Sequence, residues 1–372
     1  MDDALRQCLA DIMVPPTGPV RVLAVPRAKA PRAYVSAAPA LAATRLVRHQ
    51  YGGGSLKRRL QTGVLTGLAA SGIAARVSPW RVSDWRAPDA RVFHDWVRGV
   101  LSRDVRVGAV LIGPPRANRK PVVLLTDRRG ELVAVVKVGW DAVTAPLVRQ
   151  EATALAEVER AVGSKVHVPR LVATTQWGAV EAMMMAPLPR LDRTRAVERS
   201  VLVDTVRRVA GAQVVRAPLD VGHDRMAPLV TAARHIDART SAVVHGSSHG
   251  DLHAGNLGVA RDGMPVLWDW ERWRSGLPVG FDLLHHDVQR WVTADGLAPR
   301  QAADRLLRTA PAILEPLGIT APLAPVVAAD YLIRLAARYV EDGQDEAGSR
   351  LGAVENWIFP AIMDWYREQE HR

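Results

Sequence analysis

The chain has 372 residues, 48% of them hydrophobic, which is enough for two or three packed units and reads as a soluble globular protein. Its single cysteine, Cys8, excludes a disulfide framework and a thiolate metal site, and its longest weakly polar run, 63–75, is too short to span a bilayer. The N-terminus opens Met1-Asp2-Asp3 with no basic leader region, so a cytoplasmic protein is expected. The formal charge of +11 is uneven: residues 1–104 hold 16 Lys+Arg against 7 Asp+Glu, whereas the remainder holds 33 against 31.

Residues 1–104 form a basic N-terminal extension with mixed α/β signals. Strand patterns cover 20–25 and 33–36, and helical spacing covers 39–50 and 55–71. Gly52-Gly53-Gly54 separates the two helices and precedes Ser55, Lys57, Arg58 and Arg59. A glycine run at a basic helix start could cradle a phosphate. A flexible break before a Ser-capped helix with a solvated basic face is the plainer reading. Trp80, Trp85 and Trp96 lie among arginines and prolines, an arrangement that can stack nucleic-acid bases. No nucleic-acid-binding motif accompanies them, so packing is the simpler role and a nucleic-acid partner is not expected.

From residue 105 the pattern is that of an antiparallel sheet. Strands are predicted at 107–112, 121–126 and 132–138, with a loop at 113–119. Gly113 is that loop's only glycine and Pro114-Pro115 follow it, so a phosphate contact there would fall to backbone amides at Ala117 and Asn118 or to the side chains of Asn118 and Lys120. Lys137 ends the apolar run Ala134-Val135-Val136, and Glu151 follows fourteen residues later in the helical run 145–162. An ammonium on a buried strand needs a carboxylate partner, which the next helix can supply. The alternative is an edge-strand Lys with its head in water. Strands at 169–174 and 179–185 flank Gln176-Trp177-Gly178, and Met183-Met184-Met185 leads into Ala186-Pro187-Leu188-Pro189 as the end of a strand and a linker.

The rest, 187–372, is mostly helical, with suitable spacing at 194–215, 227–237, 282–293, 299–309, 325–341 and 346–370. The stretch HGDLHAGNLGVARDGMPVLWDWE, from His249 to Glu271, interrupts the helices. Two apolar runs around the turn Arg261-Asp262-Gly263 predict a loop followed by a hairpin, which would bring Asn256 and Asp269 together downstream of Asp251. Phosphoryl transfer from a nucleotide needs just such a small set: one carboxylate to orient the acceptor hydroxyl, and oxygen ligands to hold Mg²⁺ on the phosphates. Capping of turns is the plain alternative for these polar residues. His253, His285 and His286 have neither HExxH spacing nor a cysteine beside them, so zinc is not expected, and His249 reads as a loop brace.

The pattern HxDxxxxN followed by a hairpin and Asp resembles the aminoglycoside phosphotransferase-like branch of the protein-kinase-like fold. Gly250 stands where kinases of the HRD type have Arg, and Trp270-Glu271 stand where DFG kinases have Phe-Gly. The resemblance covers residue 105 to the C-terminus. It implies an α+β, two-lobed fold: an antiparallel-sheet N-lobe at 105–186, a helical C-lobe at 187–372 and an N-terminal α/β extension. It implies that Asp251 is catalytic, that Asn256 and Asp269 hold Mg²⁺, that Lys137 contacts the α/β-phosphates and that Glu151 orients Lys137. Gly113 and Asn118 would belong to the nucleotide loop, and the backbone of Met185 would meet the adenine edge of ATP, with GTP left open. Asp282 matches the family's helix-opening Asp, which braces the catalytic loop from behind; an ordinary helix cap is compatible. Only residues 272–279 separate the Gly280-Phe281-Asp282-Leu283 stretch from Glu271, too few for a protein-kinase activation loop, so a small-molecule hydroxyl acceptor is expected. The basic extension favours a neutral or anionic acceptor over a polycation. A catalytically silent nucleotide-binding protein and a nucleic-acid binder acting through the extension are the rival readings.

Overall fold

The computed structural model describes residues 3–15, 22–25, 33–36, 90–113, 118–192, 194–345 and 351–371. The helices expected at 39–50 and 55–71, the glycine triplet, Trp80, Trp85, and the loop tip with Ala117 lie outside the described residues. The chain divides into two compact units, Met1–Thr153 with Pro169–Leu188, and Ala154–Val168 with Pro189–Arg372.

The first unit is built on a seven-stranded sheet in the order β1-β2-β3-β4-β5-β7-β6, every neighbouring pair antiparallel. Helix α1 (Asp3–Met13) precedes β1 (Val22–Val25) and β2 (Ala33–Ser36); α2 (Ala90–Leu101) leads into β3 (Arg106–Leu111), β4 (Val122–Thr126) and β5 (Leu132–Gly139). Helix α3 (Thr144–Val162) is followed by β6 (Leu171–Trp177) and β7 (Val180–Met185). The strands match the sequence pattern to within a few residues at their ends. Neither α1 nor α2 was expected, although both carry a helical stripe: Leu5, Leu9 and Ile12 on α1, and Phe93 and Val97 on α2, are buried.

Those stripes share one apolar core with Val123, Val136 and Met184 of the sheet. Trp96 joins this packing with its ring 6.1 Å from that of Phe93, which favours the structural role for that tryptophan. Because β2 hydrogen-bonds β3, the described part of residues 1–104 belongs to the same sheet and core as the strands after 105. Conversely, residues 154–168, which fall in the sequence range assigned to the N-lobe, cluster with the second unit.

The second unit is mainly helical: α4 (Arg199–Ala210), α5 (Val230–Thr240), α6 (Phe281–Thr293), α7 (Pro299–Leu314), α8 (Ala324–Glu341) and α9 (Ile358–Glu370). Two of these, α4 and α9, are shorter than their sequence patterns, and α5 keeps its expected length but begins and ends three residues later. Helix α4 ends where Gly211 takes a left-handed conformation, α5 is preceded by a 3-10 turn over Asp224–Leu229 that contains Pro228, and a 3-10 turn over Val354–Asn356 precedes α9. Two ribbons interrupt the helices. Strand β8 (His245–Ser248) pairs with β11 (Arg274–Pro278), which the sequence did not suggest, and β9 (Leu257–Val259) pairs with β10 (Pro265–Leu267) as the predicted hairpin. No helix among the described residues is long and apolar enough to cross a membrane.

Cys8 lies in the first unit's core at 2% exposure. Burial, with a lesser contribution from the nearby Asp11 carboxylate, raises its thiol to about 12. It should therefore resist a thiol-specific chromogenic reagent at pH 8 in the native protein and react fully in denaturant. Stoichiometric reaction without denaturant would place Cys8 outside that core.

Candidate functional site

In the first unit the site residues hang on strand periodicity. Successive side chains of β5 alternate between faces, so Ala134, Val136 and Val138 enter the core shared with α1 and α2 while Lys137 lies on the opposite face. β5 is an interior strand, with Val122 of β4 and Met183 of β7 paired on either side of Lys137, which removes the edge-strand alternative. The chain then turns sharply at Gly139, where a Cβ would lie 2.5 Å from Cα of Ala145. Asp141 starts α3, its Oδ1 accepting the amides of Val143 and Thr144 at 3.1 and 2.7 Å. Two turns into α3, Glu151 accepts from Lys137 Nζ at 2.7 Å on each carboxylate oxygen.

The carboxylate is fully buried and the ammonium side chain is 12% exposed. Removing one partner of such a pair strands the other's charge, typically at a cost of about 3–5 kcal/mol. Of the other sequence candidates in this unit, Gly113 follows β3 with φ +69°, Asn118 lies in a turn and accepts from Lys120 Nζ on its carbonyl at 3.3 Å, and Met185 closes β7, paired with Val135 and Leu171.

In the second unit Asp251 stands on a loop whose backbone is fixed from three directions. Asp282, in the first turn of α6 and 2% exposed, accepts the amides of His249 at 2.8 Å and Gly250 at 3.0 Å, the bracing that the family resemblance implies for it. Gly250 has φ +80°, and a Cβ there would lie 2.2 Å from the Arg272 carbonyl oxygen, so no larger residue fits. Arg338 of α8 donates to the Gly250 carbonyl at 2.5 Å. His249 is a brace, as expected: its Nε2 donates to the Trp268 carbonyl at 3.1 Å, and its ring meets Trp270 with centroids 4.5 Å apart.

The Asp251 carboxylate, 30% exposed, is surrounded by donors. His285 Nε2 is 3.1 Å and Arg338 Nη2 3.5 Å from Oδ1; Asn256 Nδ2 is 3.2 Å and His253 Nε2 3.6 Å from Oδ2. Burial pushes the carboxyl up, but interactions with His253 and His285 and the charge of Arg338 outweigh it, leaving the group well below the ordinary carboxylate range. Asp251 is thus anionic at neutral pH. Burial lowers His285 despite the pull of Asp251, so its imidazole is neutral.

Asn256 also donates to the Asp251 carbonyl at 3.0 Å, which leaves its Oδ1 as the amide's acceptor oxygen. The hairpin then returns the chain: Trp268 N donates to the Asn256 carbonyl at 3.2 Å, setting Asp269 beside Asn256 across its open end. Asp269 has φ +73°, a left-handed conformation that few residues other than glycine adopt without strain. His167 fixes the hairpin from the side, exchanging backbone bonds with Pro265 and Leu267 at 2.8 and 2.9 Å and meeting Asp262 at 2.8 Å. The amide oxygen of Asn256 and the carboxylate of Asp269 are hard oxygen donors, a set that suits Mg²⁺ and not zinc.

Of the residues expected from sequence, the structure pairs Lys137 with Glu151, as expected, and joins Asn256 directly to Asp251. The sequence reading missed Tyr331 and Arg338, and it considered His285 only as a metal ligand. A signal was present: His285 is one turn beyond Asp282 on α6, and Tyr331 and Arg338 are seven residues apart on one face of α8.

Asp282→Ala would leave the buried His249 amide without an acceptor and the Gly250 amide with only Ser248 Oγ at 3.3 Å, so urea unfolding of the full chain should show a loss of roughly 1–4 kcal/mol. A change below about 0.5 kcal/mol, the scale of an ordinary surface substitution, would mean that Asp282 does not hold the loop.

No protein-family model matches the chain, and no curated protein matches it. Among solved structures, choline kinase LicA from Streptococcus pneumoniae is 13% identical over 75% of this chain and 98% of its own, with a TM-score of 0.45. The GDP complex of aminoglycoside 2'-phosphotransferase-IIIa is 10% identical over 75% and 98%, with a TM-score of 0.43. Aminoglycoside phosphotransferase APH(3'')-Id from Streptomyces rimosus is 14% identical over 57% and 89%, with a TM-score of 0.38. By name these are small-molecule kinases, the class that the loop motif resembles, but likeness at this level adds no weight to any residue's role, which rests on the geometry above.

Proposed function

We propose that this chain is a Mg²⁺- and nucleotide-dependent phosphotransferase acting on a hydroxyl of a small molecule. The observation that carries the proposal is the anionic Asp251, locked to Asn256 at 3.2 Å on a loop braced by Asp282 and followed by a hairpin that ends in the left-handed Asp269. Asp251 orients the acceptor hydroxyl. Its depressed carboxyl makes it a weak base, which suits a largely dissociative transfer in which positioning outweighs early proton removal. Lys137, oriented by Glu151, contacts the α/β-phosphates, with ATP the expected nucleotide and GTP a second candidate. Asn256 and Asp269 would hold Mg²⁺, which when bound neutralises charge developing on the phosphates. Gly113, Asn118 and the Met185 backbone remain the candidates for the rest of the nucleotide contact.

Three variants should separate by role. Asp269→Asn keeps a residue that tolerates the left-handed backbone, so the fold should persist while Mg²⁺-dependent nucleotide affinity falls. Asp251→Asn should leave nucleotide affinity nearly unchanged and lower turnover by at least about 10²-fold. Lys137→Ala should raise the nucleotide KM and lower kcat together, because the ammonium acts on phosphates before and during transfer. Calorimetry that detects no Mg-nucleotide binding by the unaltered protein would end the enzyme reading.

For the acceptor, the surroundings of Asp251, where Arg338 is the charged neighbour, support a neutral or anionic molecule. Its neighbours are His253, His285 and Arg338, while Asp287 is paired with Arg199 at 3.0 Å and Asp342 with Arg272 at 2.6 Å. A polycation near Arg338 would meet like charge, worth about 4 kcal/mol at 4 Å in a near-surface dielectric. A panel of neutral and phosphorylated sugars set against aminoglycosides should give turnover only with the sugars. A kcat/KM near ~10⁴ M⁻¹s⁻¹ for any aminoglycoside with the sugars inert would reverse this assignment.

A further inference from the structure

The hydrogen bonds behind Asp251 continue into the helices. His285 of α6 and Tyr331 of α8 are 0% and 1% exposed, and the Tyr331 hydroxyl is 3.1 Å from His285 Nδ1 while His285 Nε2 is 3.1 Å from Asp251 Oδ1. An ionised carboxylate can only accept, so Nε2 must carry the proton, and Nδ1 of the neutral ring is then an acceptor for the phenol hydrogen. Burial holds the Tyr331 phenol well above its ordinary range, so it keeps that hydrogen at neutral pH. Both hydrogen bonds run in one direction, from α8 through α6 to the loop.

We propose that His285 is a positioning residue: Asp251 and Tyr331 together hold it as the neutral Nε2–H tautomer, and it ties down Asp251 Oδ1 so that Oδ2 is the oxygen that receives the acceptor hydroxyl. The occupancy of the two oxygens supports this division. Oδ1 faces His285 and Arg338, whereas Oδ2 has the Asn256 amide at 3.2 Å and His253 only at 3.6 Å, beyond ordinary hydrogen-bond length. A carboxylate held by one oxygen from a fully buried ring cannot swing about its Cβ–Cγ bond, which keeps the other oxygen aimed. This inference rests on the phosphotransferase reading for its consequence, though not for the hydrogen-bonded chain itself.

Two measurements on the full chain test it. In a long-range ¹H–¹⁵N spectrum of protein labelled with ¹⁵N-histidine, the His285 signals, identified by their loss in His285→Gln, should report the neutral Nε2–H tautomer, and in Tyr331→Phe the Nδ1 signal should move as that nitrogen loses its hydrogen bond while the tautomer stays Nε2–H. An Nδ1–H tautomer or an imidazolium would overturn the proposal. Hydrolysis of Mg-ATP with water as acceptor supplies the second readout. His285→Ala should lower kcat roughly tenfold or more with the ATP KM within about twofold, and His285→Gln, whose amide can donate to Asp251 and accept from Tyr331, should recover most of the loss. Wild-type kcat in the alanine variant, or a glutamine variant as impaired as alanine, would also overturn it. Were the unaltered protein neither to bind nor to hydrolyse Mg-ATP, the phosphotransferase reading would fall while the spectrum still decided the Tyr331–His285–Asp251 chain.

Discussion

Two backbone amides ending on one buried carboxylate set the geometry of the second unit. Asp282 receives the amides of His249 and Gly250 at 2.8 and 3.0 Å, at the start of the loop that carries Asp251. With the amides fixed, the Gly250 carbonyl meets Arg338, Asp251 projects toward His285 and Asn256, and the hairpin closes on the Asn256 carbonyl. A carboxylate that accepts buried amides is stabilising because each amide would otherwise lose its hydration without replacement. Placed at the start of α6, the same carboxylate also meets the positive end of the helix dipole.

The site gathers donors around a single anion. Asp251 has a guanidinium and two imidazoles about it, which is more than is needed to keep it ionised and too much for a strong base. That balance makes sense if its task is orientation, since a group that must hold a hydroxyl in one direction gains from being rigid and loses nothing from being weakly basic. The strain at Asp269 fits the same picture. A left-handed aspartate costs on the order of 1–3 kcal/mol, and it persists because the β9–β10 pairing and the His167 bonds fix the backbone before it while the Trp273 amide, donating to the Trp270 carbonyl at 3.0 Å, closes the turn after it.

What could be read from sequence divides along local and non-local lines. Asp251, Asn256 and Asp269 were legible because their spacing is set by one loop and one hairpin, and Lys137 and Glu151 because a strand and the helix after it are neighbours in sequence. The β8–β11 ribbon was not, since its strands are short and neither alternates clearly; its pairing depends on contacts made across the loop itself. Helices α1 and α2 carried readable stripes, but most of the sheet they cover lies beyond α2, so little that is local shows what those stripes pack against. His285 was visible only as a histidine. Its meaning depends on Tyr331, forty-six residues away on another helix, and no periodicity links the two.

Helix α8 shows why buried polarity in this unit is organised and not incidental. On one face Tyr331 and Arg338 reach α6 and the loop, and at its end Asp342 takes both guanidinium nitrogens of Arg272, the residue whose carbonyl forces glycine at 250. On another face Asp330, fully buried, is pushed up by burial and held back by Arg334, which also donates to the Ala217 and Pro218 carbonyls at 2.8 and 3.1 Å. Replacing such pairs by apolar residues of similar size is often neutral or stabilising, so stability alone does not account for keeping them. What they add is direction. An apolar helix can slide or rotate against its neighbours at little cost, whereas one that must satisfy a phenol, two guanidinium groups and a carboxylate at once has a single register, and that register carries the alignment of the Asp251 loop.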